Sequence, residues 1–393
     1  MKFLKDLTKQ DLNGKKVLVR VDFNVAIEDG EIVEPFKITS NKPTIDYLLK
    51  HGASVVCVSH RSESGASFAD VAKQIGEILG HEVFFVKDVT GMAIQLAVKN
   101  HQLVLVDNIE LRSEEKKNDP AWAQELAQGF DLFVFDAFAS AHRSYVTREG
   151  IMHVLPSYAG FIMEQEVREL TKAITAPAEG KVVVLGGAKI GTKLPMIKNF
   201  TGKAEWILIG GAIANNFFKY HKLEIGKSIY DADFVEQIAG IERKNIFVPE
   251  DLIVSTDLEG QETIREAPEK GVMPGEYILD IGPRTAKYFA EHIKAASLVI
   301  WNGPMGKSEV PAFAEGTRIV AEAIASNPNS IIGGGDTIAA ARQFGLLEKF
   351  GPDAFGSGLR LKRRSYVSTG GGAMLDFLGG NRLPALEALR YYE

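Results

Sequence analysis

Short apolar runs rich in β-branched residues recur along this chain, and nearly every one ends in a polar or glycine-rich turn. In the first half they occupy residues 16–23, 53–60, 82–86, 103–109 and 132–138; in the second, 181–187, 206–212, 246–254, 277–282, 297–303 and 330–336. Between many of them the apolar positions fall at helical spacing. Over 67–79, Phe68, Val71, Ala72, Ile75, Ile78 and Leu79 share one face, with Ser67 placed as the N-cap. Continuous apolar runs alternating with amphipathic helices imply βαβ units, because parallel strands need crossover helices to cover both faces of their sheet. The expected fold class is therefore α/β, with a parallel sheet in each half.

A chain of 393 residues exceeds the roughly 250–300 at which one hydrophobic core stops growing, so two domains are expected. Residues 158–175 read as one long helix, and Ala176-Pro177-Ala178-Glu179-Gly180 as the turn after it, which places the boundary near 160–180. Apolar residues at 45% and charged residues at 24% exclude a disordered or fibrous chain. No run of about 18 apolar residues is present, so a membrane span is not expected. The first residues, MKFLKDLTKQDLNGKK, lack the apolar core of a secretion signal. The single cysteine, Cys57, lies among Val55, Val56 and Val58; it reads as a buried strand thiol in a reducing compartment. A net charge of −6 argues against a general nucleic-acid binder.

In open α/β sheets ligands bind outside the carboxyl ends of the strands, so the chemistry is expected in the turns that follow these runs. Three such turns in the second half are glycine clusters: Gly186-Gly187-Ala188-Lys189, Gly333-Gly334-Gly335-Asp336-Thr337 and Ser368-Thr369-Gly370-Gly371-Gly372-Ala373. Glycine lets a backbone approach phosphate closely, and free N–H groups at a helix start attract anions. One cluster alone is explained as well by a tight turn; three, with a lysine and an aspartate attached, point to a nucleotide. Lys189 and Lys193 lie four residues apart, so a helix starting there would present both ammonium groups to a polyphosphate, the alternative being two solvated lysines. Asp336 stands where a Mg²⁺-binding carboxylate or a helix N-cap would be placed. Glu309 follows the unusual turn Trp301-Asn302-Gly303-Pro304-Met305-Gly306; it is placed to accept from ribose hydroxyls or to stand solvated in a loop.

Taken in order, these motifs resemble the phosphoglycerate kinase family over nearly the whole chain. The segments that carry the resemblance are Val19-Arg20-Val21-Asp22-Phe23-Asn24-Val25, Asp136-Ala137-Phe138 with His142-Arg143, the Gly186 cluster with Lys193, Asp280-Ile281-Gly282-Pro283, the Trp301 turn, the Gly333 and Ser368 clusters, and Leu383-Pro384. The resemblance implies two Rossmann-like lobes: residues 1–158 binding a triose and completed by 376–393, a hinge helix over 159–175, and residues 176–375 binding Mg-nucleotide. It implies phosphoryl transfer between 1,3-bisphosphoglycerate and ADP by a cytoplasmic, glycolytic monomer whose lobes close on small-molecule substrates, with ATP or ADP and Mg²⁺ and no nucleic-acid or membrane partner. By the same resemblance Gly187, Ala188, Lys189, Lys193, Gly211, Asn302, Pro304, Glu309, Gly335 and Thr337 line the nucleotide site and Asp336 holds the metal. Gly370, Gly371, Gly372, Lys37 and Lys189 would serve the transferred phosphoryl group. Arg20, Asp22, Asn24, His60 and Arg143 match the triose site.

Four first-half positions depart from the family pattern. Lys37 stands for an arginine, Glu63 and Glu110 each for another, and Tyr145 for a histidine. Lysine keeps the charge but loses the bidentate fork. Charge-assisted contacts contribute about 1.5–3 kcal/mol each, so two arginine-to-glutamate changes are expected to weaken binding of an anionic triose by roughly three orders of magnitude. That expectation opens two further readings: a kinase for a less anionic carboxylate, and a nucleotide-binding homologue without catalysis. Arg61, Arg112 or the basic stretch 360–364 could compensate. Lys307-Ser308, replacing a hydrophobic pair before Glu309, is a smaller departure.

Overall fold

The computed structural model describes residues 1–63, 65–241, 244–350 and 365–393. The basic stretch 360–364 lies outside the described residues. The chain divides into two compact units, 1–168 with 382–393, and 169–381.

The first unit is built on a six-stranded parallel sheet with the spatial order Phe84–Val86, Leu103–Val106, Ser54–Val58, Lys16–Arg20, Leu132–Phe135, Ser157–Ala159. The central strand is Lys-Val-Leu-Val-Arg, and every residue after the first is buried. Leu18 sits opposite Val56 on one side and Phe133 on the other. One layer of the core joins Val17, Val19, Val55 and Val134 to Ile38, Ile45 and Ile75 of the covering helices. Cys57 belongs to that layer, and burial pushes its thiol up to about 12, so it packs as a small apolar group.

Two expected helices begin later than their periodicity suggests. The helix expected over 67–79 spans Ala72–Leu79. Ser67 is not its N-cap: its hydroxyl donates to the Asp107 carboxylate and accepts from the Ala69 amide, while Asp107 also takes the Phe68 amide. The segment 67–71 is thereby held as a turn by a strand-end carboxylate. The helix expected over 158–175 spans Phe161–Thr175, because Tyr158 pairs with Val134 in the edge strand. Asp136, at the end of the neighbouring strand, accepts from the amides of Ile162 and Met163 and so fixes the helix start. A Cβ on Gly160 would lie 2.4 Å from that carboxylate, so only glycine fits the joint. The unit boundary falls inside this helix, and the C-terminal return begins at Arg382 rather than at 376.

The second unit has its own six-stranded parallel sheet, ordered Ile246–Phe247, Trp206–Ile209, Lys181–Leu185, Leu298–Asn302, Ser330–Gly333, Tyr366–Ser368. Val182, Val184, Val299, Trp301 and Ile332 pack with the helices Pro283–Ala295 and Glu315–Ser326 on one core. The apolar run 246–254 is not one strand. It pairs in the parallel sheet only over Ile246–Phe247, and Asp251–Ser255 leaves to join Ile264–Pro268 and Tyr277–Ile281 in a three-stranded antiparallel sheet. Pro249 lies at the break, where it can supply no ladder N–H. The 277–282 run therefore belongs to this small sheet and not to a βαβ crossover. No described helix is long and apolar enough to cross a membrane.

Candidate functional site

In the second unit the turns after three strands are knitted together by backbone groups. The Gly186 amide donates to the Asn302 carbonyl at 3.0 Å, Gly187 to Pro304 at 2.8 Å, and Gly211 to Met305 at 2.7 Å. At Gly303, with φ +94°, a Cβ would stand 2.3 Å from the Gly186 carbonyl; at Gly211, with φ +60°, one would stand 2.5 Å from the Gly187 nitrogen. Any side chain there would force the loops apart. Between them lies a cavity of ≈ 580 Å³, lined by Gly187, Ala188, Gly211, Pro304, Glu309 and Asp336 among the expected residues.

Lys189 occupies the N-cap of the helix Ile190–Phe200, with Lys193 in its first turn. Burial holds the Lys193 ammonium below its ordinary pKa, the Asp336 carboxylate opposes that shift, and Lys189 adds to it, so the three charges share one neighbourhood. A Cβ on Gly187 would lie 3.9 Å from Lys193 Nζ, which puts that ammonium beside the cavity wall. Asp336 is in the first turn of the helix Gly335–Gln343; the N-cap is Gly334, with φ 100°, so capping does not account for the aspartate.

Several expected residues face elsewhere. Asn302 is buried and its Nδ2 donates to the Gly333 carbonyl at 2.7 Å; the Thr337 hydroxyl is buried and accepts from the Gly303 amide at 2.7 Å. Both brace the loops and neither lines the cavity, nor does Gly335. In the third cluster the Gly370 amide donates to the Ser368 hydroxyl, which commits it inward, while Gly371 adopts φ +46° ahead of the short helix Gly372–Leu378. That turn is brought beside the second cluster by the Gly333–Ser368 pairing.

The first unit gathers its charges differently. Arg20 is fully buried; one arm donates to Thr147 Oγ1 at 3.1 Å and the other meets His60 Nδ1 at 2.8 Å. A guanidinium only donates, so His60 Nδ1 accepts and the neutral ring carries its proton on Nε2. Burial, then Arg20, Arg148, Lys37 and Arg143, all hold the imidazole neutral by lowering its pKa. Burial and Arg148 bring Arg20 down to about 10, which leaves it charged at neutral pH. Thr147 Oγ1 in turn donates a hydrogen bond to the buried Glu115 carboxyl group at 2.6 Å. Lys37 reaches Asp22 at 3.0 Å, and Asn24 and Ser62 exchange hydrogen bonds at 2.8 and 2.9 Å. Arg143 is exposed, its Nε 3.4 Å from His142 Nε2.

The two glutamates do not leave bare negative charge here. Glu110 is paired with Arg148 at 2.5 Å and Lys116 at 3.0 Å. Glu63 is two-thirds exposed and paired with Arg61 at 2.8 Å. Arg61 itself is buried and donates also to the Ser67 carbonyl, so it neutralises Glu63, while Arg112 lies over the Trp122 ring and pairs with Glu114. The residue sequence reasoning missed is Arg148. It is fully buried, stacks 4.3 Å above the Tyr145 ring, and leaves Nε and Nη1 without a hydrogen-bond partner. An arginine in the 142–148 loop answers the glutamate at 110, and Tyr145 is its platform.

Two parallel sheets, one edged by buried, paired cations and the other by a glycine-walled cavity beside two lysines and a carboxylate, define a nucleotide-dependent phosphotransferase of the α/β class. Residues 4–381 match the family model described as phosphoglycerate kinase. The chain belongs to the phosphoglycerate kinase family. It is 38% identical to the phosphoglycerate kinase of Moorella thermoacetica over 402 residues, covering 98% of each chain, and 38% identical to that of Dictyoglomus turgidum over 405 residues, covering 99% of each. Its structure is similar to that of phosphoglycerate kinase from Coxiella burnetii, with a TM-score of 0.84 and 31% identity over 99% of this chain and 98% of the other. The Pyrococcus horikoshii enzyme gives a TM-score of 0.83 at 30% identity over the same shares.

Proposed function

We propose that this chain transfers a phosphoryl group between the acyl phosphate of 1,3-bisphosphoglycerate and ADP, forming 3-phosphoglycerate and ATP. The observation that carries the reading is the meeting of Lys189, Lys193 and Asp336 beside a cavity whose walls only glycine backbone permits. The lysines neutralise a polyphosphate. The donor set suits Mg²⁺, which binds through one or two carboxylates plus substrate phosphates rather than an all-protein cage. Asp336 is that carboxylate, and no group of three metal-ligating side chains occurs among the described residues. When bound, the ion supplies charge neutralisation on the transferring phosphates. Glu309 takes the ribose, and the Gly371 and Gly372 amides with Lys37 and Lys189 serve the moving phosphoryl group.

Arg20, Asp22, Asn24, His60 and Arg143 take the triose. Pairing of Glu63 with Arg61 and of Glu110 with Arg148 and Lys116 favours 3-phosphoglycerate itself over a less anionic acid, because the negative charge the two glutamates add is cancelled by their partners. The enzyme is a cytoplasmic monomer with no nucleic-acid or membrane partner, in keeping with the family and a net charge of −6. A coupled assay of ATP-dependent 1,3-bisphosphoglycerate formation tests the reading. The wild type turns over, and Asp336→Ala loses about 10²–10³-fold in kcat. No turnover by the wild type, with Mg-ADP still bound, leaves a binding protein and rejects the reading.

A further inference from the structure

The cavity of the second unit has an end that the phosphate chemistry does not use. Besides Gly187 and Asp336, its lining includes the apolar side chains of Ile229, Leu252, Leu279 and, from a hairpin loop, Leu258. Leu258 is 43% exposed, so it reaches the cavity from outside the core. The loop that carries it joins the antiparallel strands Asp251–Ser255 and Ile264–Pro268. Asp257 gives the loop its shape, accepting from the amides of Glu259, Gln261 and Glu262 at 2.7, 3.2 and 2.8 Å.

One side chain ties this loop to the cavity. Lys307 Nζ donates to the Leu258 carbonyl and to Glu259 Oε1, each at 2.9 Å. The Lys307 backbone is itself held, its amide donating to the Leu279 carbonyl at 2.7 Å. Lys307 also lines the cavity, between Gly306 and Ser308. Its aliphatic stem and the leucine it anchors thus belong to one wall.

We infer that Lys307 is the positioning residue for the nucleotide base: its ammonium pins Leu258 and Glu259 so that the leucine and the lysine stem form the apolar face against which a planar base packs. The lysine works by the pairing of its head with the loop, not by contact with phosphate. This inference rests on the nucleotide reading of the cavity, and base and phosphate binding can be measured apart.

The test is titration calorimetry on the full chain with two probes, Mg-ADP and Mg-pyrophosphate, the second having no base. Lys307→Met keeps the stem and removes the ammonium. It is expected to weaken Mg-ADP about three- to tenfold, the loss of two charge-assisted hydrogen bonds on a partly exposed loop, while pyrophosphate binding is unchanged. Lys307→Arg restores ADP affinity to within about twofold. In turnover the methionine variant raises KM for Mg-ADP and leaves kcat alone, as loss of uniform binding does. Leu258→Ala gives the same split without touching the lysine, which guards against a folding defect in the first variant. Wild-type ADP affinity in both variants, or equal losses for ADP and pyrophosphate, overturns the inference. A wild type that binds neither probe removes the nucleotide reading and this inference with it.

Discussion

The two units answer anions by different means. In the second, recognition is built from backbone: Gly187, Gly211 and Gly303 let strand-end loops close to hydrogen-bonding distance, and Lys189, Lys193 and Asp336 add charge. In the first, recognition is a set of buried side chains, each holding the next, from Glu115 through Thr147 to Arg20 and His60, and from Glu110 to Arg148 over Tyr145. Backbone recognition cannot migrate, because the positive-φ glycine must stay where the loops meet. Side-chain charge can, because a guanidinium reaches across several positions. Arg148, which reaches Glu110 from a different loop, shows that reach.

The comparison is sharpest at Arg148. Removing one partner of a buried ion pair leaves a desolvated charge, so Arg148→Met is expected to cost about 3 kcal/mol in denaturant unfolding, at the low end because Lys116 still pairs with Glu110. Replacing both, as Glu110→Leu with Arg148→Met, should return to within about 1 kcal/mol of wild type. Equal losses for single and double variants would mean that the pair is not a unit.

The next effect is one of pH. His60 in the first unit is held neutral, so its folded pKa is depressed and its contribution is lost as pH falls below the unfolded value of 6.5. Asp280 in the second unit is buried against the Gly306 turn and raised from 3.8 to about 8 by that burial. The folded state keeps a proton that the unfolded chain gives up, so stability falls as pH rises from 3.8 to about 8. Above pH 6.5 the histidine adds no slope. Melting curves between pH 6.5 and 8 should therefore show wild type losing stability, by at most about 1.4 kcal/mol per pH unit, and Asp280→Asn nearly flat. A wild-type profile as flat as the variant's would place the Asp280 proton elsewhere. The smallest effect is at Glu63, two-thirds exposed beside Arg61, where Glu63→Gln should shift stability by no more than about 0.5 kcal/mol.

These differences also explain what could be read in advance. Gly187, Gly211, Pro304 and Asp336 were legible because their reasons are local: a turn after a strand, a close approach, a first helical turn. The same local logic misplaced Ser67, because Asp107, far along the chain, bids for its hydroxyl and for the Phe68 amide. It also read 246–254 as one strand, although Pro249 stands at the point where the chain changes sheets. Asn302 and Thr337 carry motif positions yet spend their polar groups on neighbouring loops, a choice settled only by which strand lies next to which. Arg148 was hidden for the same reason. Nothing near it in the chain marks it, and its partner Glu110 lies on a different loop.

The split membership of the first unit, 1–168 with 382–393, has a consequence for synthesis. Leu383–Arg390 supplies the Ala385 amide to the Ala141 carbonyl and the Arg390 carbonyl to the N-terminal ammonium, so the start of the chain waits for its last turns. At about 5–20 residues per second on the ribosome that wait is on the order of ten seconds or more, the time in which the uninterrupted 169–381 stretch is made. The earlier-made half is thus the one a chaperone would have to shelter while the other is synthesised.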